Sequence, residues 1–172
     1  MCWFFQKKLT SVKEIVEKCK NNPKKICNWI EFHISYISDE KNHDINDYWQ
    51  TPQETLTGKY RDGREGTPYT GDCDDYVVLA QACLKTVGVE SFILGVFTPE
   101  EYVGDIPSKY KGHAILAFML NNNWYHFSNW GLKRCWKAKK LEDVAPYVYK
   151  KGYWQECWFA NGTLNKGKIH LY

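Results

Sequence analysis

The sequence predicts an α+β fold: a helical first half packed on an antiparallel sheet built from the second half. Three observations lead there. Apolar residues recur at helical spacing as far as Val87, then switch beyond Gly88 to short runs rich in Ile, Val, Leu and Phe. Between two of those runs, Asn121-Asn122-Asn123 offers a hairpin turn. At 172 residues the chain suits one domain with a real core.

The helices come first. Thr10 to Lys20 places Val12, Ile15, Val16 and Cys19 on one face. A second helix is expected from Pro23 to Ile37, burying Ile26, Trp29, Ile30 and Ile34, with proline suited to its first turn. Ser38 to Asp47 is polar and reads as a loop, and Thr51-Pro52-Gln53-Glu54 as the entry to a short helix. Four glycines at 58, 63, 66 and 71 mark the following stretch as surface loop.

The strongest helix runs from Asp72 to Val87. Cys73, Tyr76, Val77, Ala80, Cys83, Leu84 and Val87 form one stripe, widened by Val78, Leu79 and Ala82, so the helix is expected to be buried on most sides. Asp72 suits the N-cap, Asp75 completes an acidic variant of the capping box, and Gly88 suits the left-handed stop. Strands are expected over Ser91 to Thr98, His113 to Leu120 and Trp124 to Phe127, with one or two more from Tyr147 to Phe159. The whole chain, 1–172, reads as one domain: a helical part over 1–47, the chemistry-bearing stretch over 48–132, and C-terminal strands over 133–172.

Composition excludes several classes. A net charge of +3 gives no argument for nucleic acid, and the basic run of Lys133, Arg134, Lys137, Lys139 and Lys140 reads as a solvated face. Seven cysteines without regular spacing make a poor disulfide framework, and no Cys-x-x-Cys pair suggests zinc. No run of about 18 apolar residues predicts a membrane span, and the apolar stretch after Met1 is too short for a signal peptide. The expectation is a cytoplasmic protein with free thiols. The oligomeric state is left open.

The chemistry concentrates at Gly71-Asp72-Cys73-Asp74-Asp75-Tyr76. A cysteine at the first turn of a helix faces unpaired backbone N–H groups, which favour the thiolate and could hold an oxyanion. Three flanking carboxylates oppose that charge, so the thiol calls for an imidazole partner. Of five histidines, His113 opens an apolar strand after Gly112, and His126 on the return strand is its competitor. A catalytic imidazole also needs an acceptor on its far nitrogen, and Ser128 and Asn129 both offer one. Strand alternation favours Ser128, whereas the fixed amide oxygen favours Asn129, the choice taken here.

These residues resemble a known family. Trp49-x-x-Pro52-x-Glu54, the cysteine box, Gly112-His113-Ala114 and Trp124 to Asn129 are similar to the bacterial transglutaminase-like cysteine proteinases, within the transglutaminase-like superfamily. The resemblance implies a papain/transglutaminase-like fold with Cys73 as nucleophile and His113 as base. It also implies an acid where this chain has Ser128, and a cleft position for Trp49 beside the oxyanion site. Some members bind calcium through acids beside the cysteine, which makes Asp72 and Asp74 candidate ligands; no other cofactor is expected. The expected activity is that of a cysteine peptidase or amidase working on a protein or peptide through a thioester. The alternatives are a protein-glutamine acyltransferase and a catalytically weak binding module on the same fold.

Overall fold

The computed structural model describes residues 8–43, 47–103, 105–160 and 163–172. Helix α1 (Val12–Lys18) starts at Ser11, whose hydroxyl accepts the Glu14 N–H, and buries Ile15 and Val16. Helix α2 (Pro23–His33) is capped by the Asn22 side chain and carries Pro23 in its first turn. It stops short of the expected Ile37. Residues 35 and 36 instead form strand β1 (Ser35–Tyr36), parallel to β2 (Thr70–Gly71). The physical reason is a competing partner: Ser35 N–H donates to the Tyr69 carbonyl at 2.8 Å and Ile37 N–H to the Gly71 carbonyl at 3.0 Å.

The expected loop after Ser38 contains a short helix, α3 (Asp39–His43). Helix α4 (Pro52–Thr57) begins at the expected entry, closed by a capping box of Thr51 with Glu54, and ends at left-handed Gly58. Helix α5 (Cys73–Thr86) also starts on a capping box: Asp72 accepts the Asp74 N–H and Asp75 accepts the Asp72 N–H. Gly71 is required just ahead of it, because a Cβ there would lie 2.5 Å from a carboxylate oxygen of Asp75.

The remaining strands are β3 (Ser91–Val103), β4 (Ile106–Leu120), β5 (Asn123–Ser128), β6 (Gly131–Arg134), β7 (Tyr153–Ala160) and β8 (Thr163–Leu171). They form an antiparallel sheet in the order β6-β5-β4-β3-β7-β8. Asn121 and Asn122 make the tight turn into β5 with positive φ. Two corrections to the sequence reading concern length. β3 and β4 run on to Val103 and back from Ile106 as a polar two-stranded arm, and β8 was not anticipated; each lacks the apolar run that marks a core strand.

Helix α5 packs on one sheet face against Ala114, Leu116, Phe118, Tyr125 and Phe127. The opposite face carries Leu94, Val96, Ile115, Ala117, Trp124 and Trp154, covered by Val144 and Ala145 from two short 3-10 turns. Among the described residues, no helix is long and apolar enough to cross a membrane.

Candidate active site

Cys73 is the first residue of α5, and its half-buried thiol is the only one among the described cysteines that is not buried; Cys2 lies outside the described residues. The helix start is held from two sides, because Asp75 also accepts the Gln50 N–H at 2.7 Å. The Cys73 sulfur in turn accepts the backbone N–H of Ala114 at 3.4 Å. The start of α5 is thereby laid against β4 one residue from His113.

His113 is buried, its Nε2 has no hydrogen-bond partner, and its ring stacks on Trp130 at 3.7 Å between centroids. No hydrogen bond joins it to the Cys73 sulfur in this arrangement. Strand alternation puts His113 on the sheet face of Ile115 and Ala117, opposite the face on which α5 packs. His126 and Ser128 share that face with Trp124. His126 is also buried, with an unpartnered Nδ1.

The two candidates for the third position differ. Ser128 is fully buried at the end of β5, and its Oγ accepts the Trp130 N–H at 3.1 Å. Asn129 lies in the turn between β5 and β6, with a buried Oδ1 that has no partner. Trp49 packs beside Phe159 at 6.1 Å, and its indole N–H donates to Asp47 at 2.8 Å, so that donor is already engaged. Trp130, which stacks on His113, and Tyr149, edge-on to Trp130 at 6.3 Å, had no sequence signal. A cavity of about 330 Å³ lined by Trp29, His33, Tyr69 and their neighbours includes none of these residues.

The electrostatics leave the Cys73 thiol and the His113 imidazole neutral. Burial, reinforced by Asp72, pushes the Cys73 thiol up to about 12. Burial, then His126, Lys111 and Lys133, lowers His113 to about 4; burial and Lys133 lower His126 to about 4.

A carboxylate cluster adjoins the cysteine. The β1–β2 pairing sets Asp39, just past β1, beside Asp72, just past β2, a neighbourhood without any sequence signal. Oxygens of Asp39, Asp72 and Asp75 lie within 4.8 Å of one another, as do those of Asp39, Asp47 and Asp74. Asp39 Oδ1 and Asp74 Oδ2 are buried without hydrogen-bond partners. Burial raises Asp39 to about 7, against the Tyr48 N–H that it accepts; burial also raises Asp74 and Asp75.

The arrangement is a half-buried thiol at a helix N-terminus, braced by a backbone hydrogen bond on a histidine-bearing strand of an antiparallel sheet. Residues 9–128 match the model of the transglutaminase-like superfamily, and the chain belongs to that superfamily. Among curated proteins, none matches the chain. Among solved structures, the chain is similar to a candidate cysteine protease from Cytophaga hutchinsonii, with 15% identity and a TM-score of 0.41. That match covers 98% of this chain and 53% of the other, so the chain spans about half the length of that protein.

Proposed function

We propose that the protein is a cysteine peptidase or amidase acting on a protein or peptide amide through a thioester acyl-enzyme. The observation that carries this reading is the bond from the Ala114 N–H to the Cys73 sulfur, which fixes the thiol beside the His113 strand. Because thiol and imidazole are both neutral at rest, the Cys73 proton passes to His113 as the sulfur attacks the carbonyl. The C–N bond then breaks, the amine leaves with that proton, and water resolves the thioester on a second proton transfer through His113. Because the Asp72 side chain caps the first turn of α5 and takes the Asp74 N–H, the backbone N–H of Cys73 is the group there suited to the oxyanion. Asn129 is the favoured acceptor for the far nitrogen of His113, since its buried Oδ1 has no partner; Ser128 is already engaged with Trp130.

The carboxylate cluster fits a calcium ion. Two buried, orphaned oxygens on Asp39 and Asp74, with Asp72 and Asp75 close by, offer the all-oxygen donor set that a hard cation takes. Either Asp39, Asp72 and Asp75 or Asp39, Asp47 and Asp74 would hold it. When bound, the ion would supply positive charge that offsets the carboxylates raising the Cys73 thiol.

One observation favours a second reading, a catalytically weak binding module: a thiol near 12 beside a histidine near 4 is far from an activated pair. The two readings separate by mapping covalent adducts after exposure to a panel of peptide-like electrophiles. The enzyme reading expects one adduct on Cys73, lost in Cys73→Ala and slowed by about 100-fold or more in His113→Ala. Labelling that is unchanged in His113→Ala, or that falls on a buried cysteine, would overturn it.

A further inference from the structure

We infer that the outer edge of β4 over Tyr110 to Gly112, the regularly paired stretch that leads to Ala114, is the docking track for the acyl side of an extended peptide substrate. This rests on the reading of Cys73 as the nucleophile.

Hydrogen-bond parity decides which backbone groups of β4 face outward. In an antiparallel pair, alternate residues turn their backbone groups toward the partner strand and away from it. Ala114 sits opposite Gly95 on β3, yet its N–H goes to the Cys73 sulfur. Ala114 is therefore an outward-facing position. By the same alternation Gly112, opposite Phe97, also presents its N–H and carbonyl outward, and so does Tyr110. Tyr110 lies opposite Pro99, which has no N–H to offer it.

Among the described residues, nothing takes up that row. Strand β5 pairs with β4 only from Leu116 to Leu120, and β6 continues from β5 away from it. Among the described residues, no turn or loop backbone hydrogen-bonds the 106–113 edge. Residues 108–112 are exposed. The Cys73 sulfur thus occupies the acceptor position at which a neighbouring strand would place a carbonyl, and the open row leads straight away from it at about 7 Å per repeat.

The geometry selects the ligand. A row of alternating donors and acceptors at strand spacing is matched by another peptide main chain. The acyl half is the part held there, because it stays bound through both the attack and the hydrolysis, whereas the amine leaves after the first. Beside the row, Phe97 stacks on Tyr153 at 4.6 Å and Tyr110 meets Tyr153 at 5.2 Å, an aromatic wall for an apolar substrate side chain. The Phe97 ring also accounts for Gly112, where a Cβ would lie 2.8 Å from that ring.

The test is an N-methyl scan of acetyl-capped tetrapeptides bearing a C-terminal chloromethyl ketone, with labelling of Cys73 followed by mass spectrometry. Each rate is divided by that of iodoacetamide at the same residue. Methylation of the amides of one parity should slow labelling by about tenfold, the loss of one hydrogen bond, and methylation of the other parity should leave it nearly unchanged. Tyr110→Pro, which removes an outward N–H, should slow the unmethylated peptide but not iodoacetamide. Equal effects at both parities, or no effect at either, would overturn the track while leaving Cys73 as the nucleophile. Failure of every peptide to label a thiol that iodoacetamide does label would overturn the peptidase reading itself, and the track with it.

Discussion

The backbone N–H of Ala114 donates to the sulfur of Cys73 at 3.4 Å. This bond couples the first residue of the central helix to the strand that carries His113, and it makes the thiol part of the edge of the sheet. A partly exposed thiol should outrun the five described buried ones, Cys19, Cys27, Cys83, Cys135 and Cys157, in alkylation. Its own position near 12 predicts a rate that keeps rising with hydroxide concentration. In chelator, the rate should climb without a plateau up to about pH 10. A plateau already at neutral pH would contradict the neutral resting pair.

Ser128 stands where the family resemblance implies an acid, on the sheet face shared with His113 and His126. A carboxylate there would favour imidazolium, raising His113 from its depressed position. Ser128→Asp is therefore expected to raise the His113 pKa, read by NMR, and to speed Cys73 acylation by about tenfold or more. Asn129→Ala should slow acylation more than Ser128→Ala does. The reverse order would move the orienting role to Ser128, and no effect of either would point to His126.

Asp39 provides a pH test of the carboxylate cluster. Its folded pKa of about 7 lies above that of an unfolded aspartate. Its contribution to stability is thus fully present below about pH 4 and is lost as pH rises through about 7. In chelator, Asp39→Asn should therefore gain stability relative to the parent between pH 5 and pH 8, measured by denaturant titration. Calcium should raise the parent Tm more at pH 8 than at pH 5, and raise it less in Asp39→Asn. His113 and His126 act in the opposite sense: both lie near 4, so their contribution is present above about 6.5 and lost as pH falls. A calcium shift that is independent of pH and of Asp39 would remove the cation from this cluster.

Two substitutions test the scaffold apart from the chemistry. Phe118 is fully buried between α5 and the sheet, and Phe118→Ala should cost about 3–5 kcal/mol. Thr51 caps α4 by accepting the Glu54 N–H, and Thr51→Ala should cost about 1 kcal/mol. Equal losses for the two, by urea unfolding, would mean that the core assignment at Phe118 is wrong.

The sequence by itself determined the local features, because each is fixed by neighbours in the chain. The capping boxes at Thr51 and Asp72, the stripe from Cys73 to Leu84, the stop at Gly88 and the asparagine turn at 121–122 can all be read from spacing. Tertiary structure decided what depends on distant partners. Ser35 and Tyr36 leave the helical pattern because the Tyr69 and Gly71 carbonyls take the N–H groups of Ser35 and Ile37. The same pairing carries Asp39 to Asp72, and no local signal marks a carboxylate whose neighbours lie some thirty residues away. The polar halves of β3 and β4 become strands only by pairing with each other, so apolar periodicity passes over them. For the same reason the open edge beside Cys73 is a property of the folded sheet: a backbone row is left free only once every other strand has found its partner.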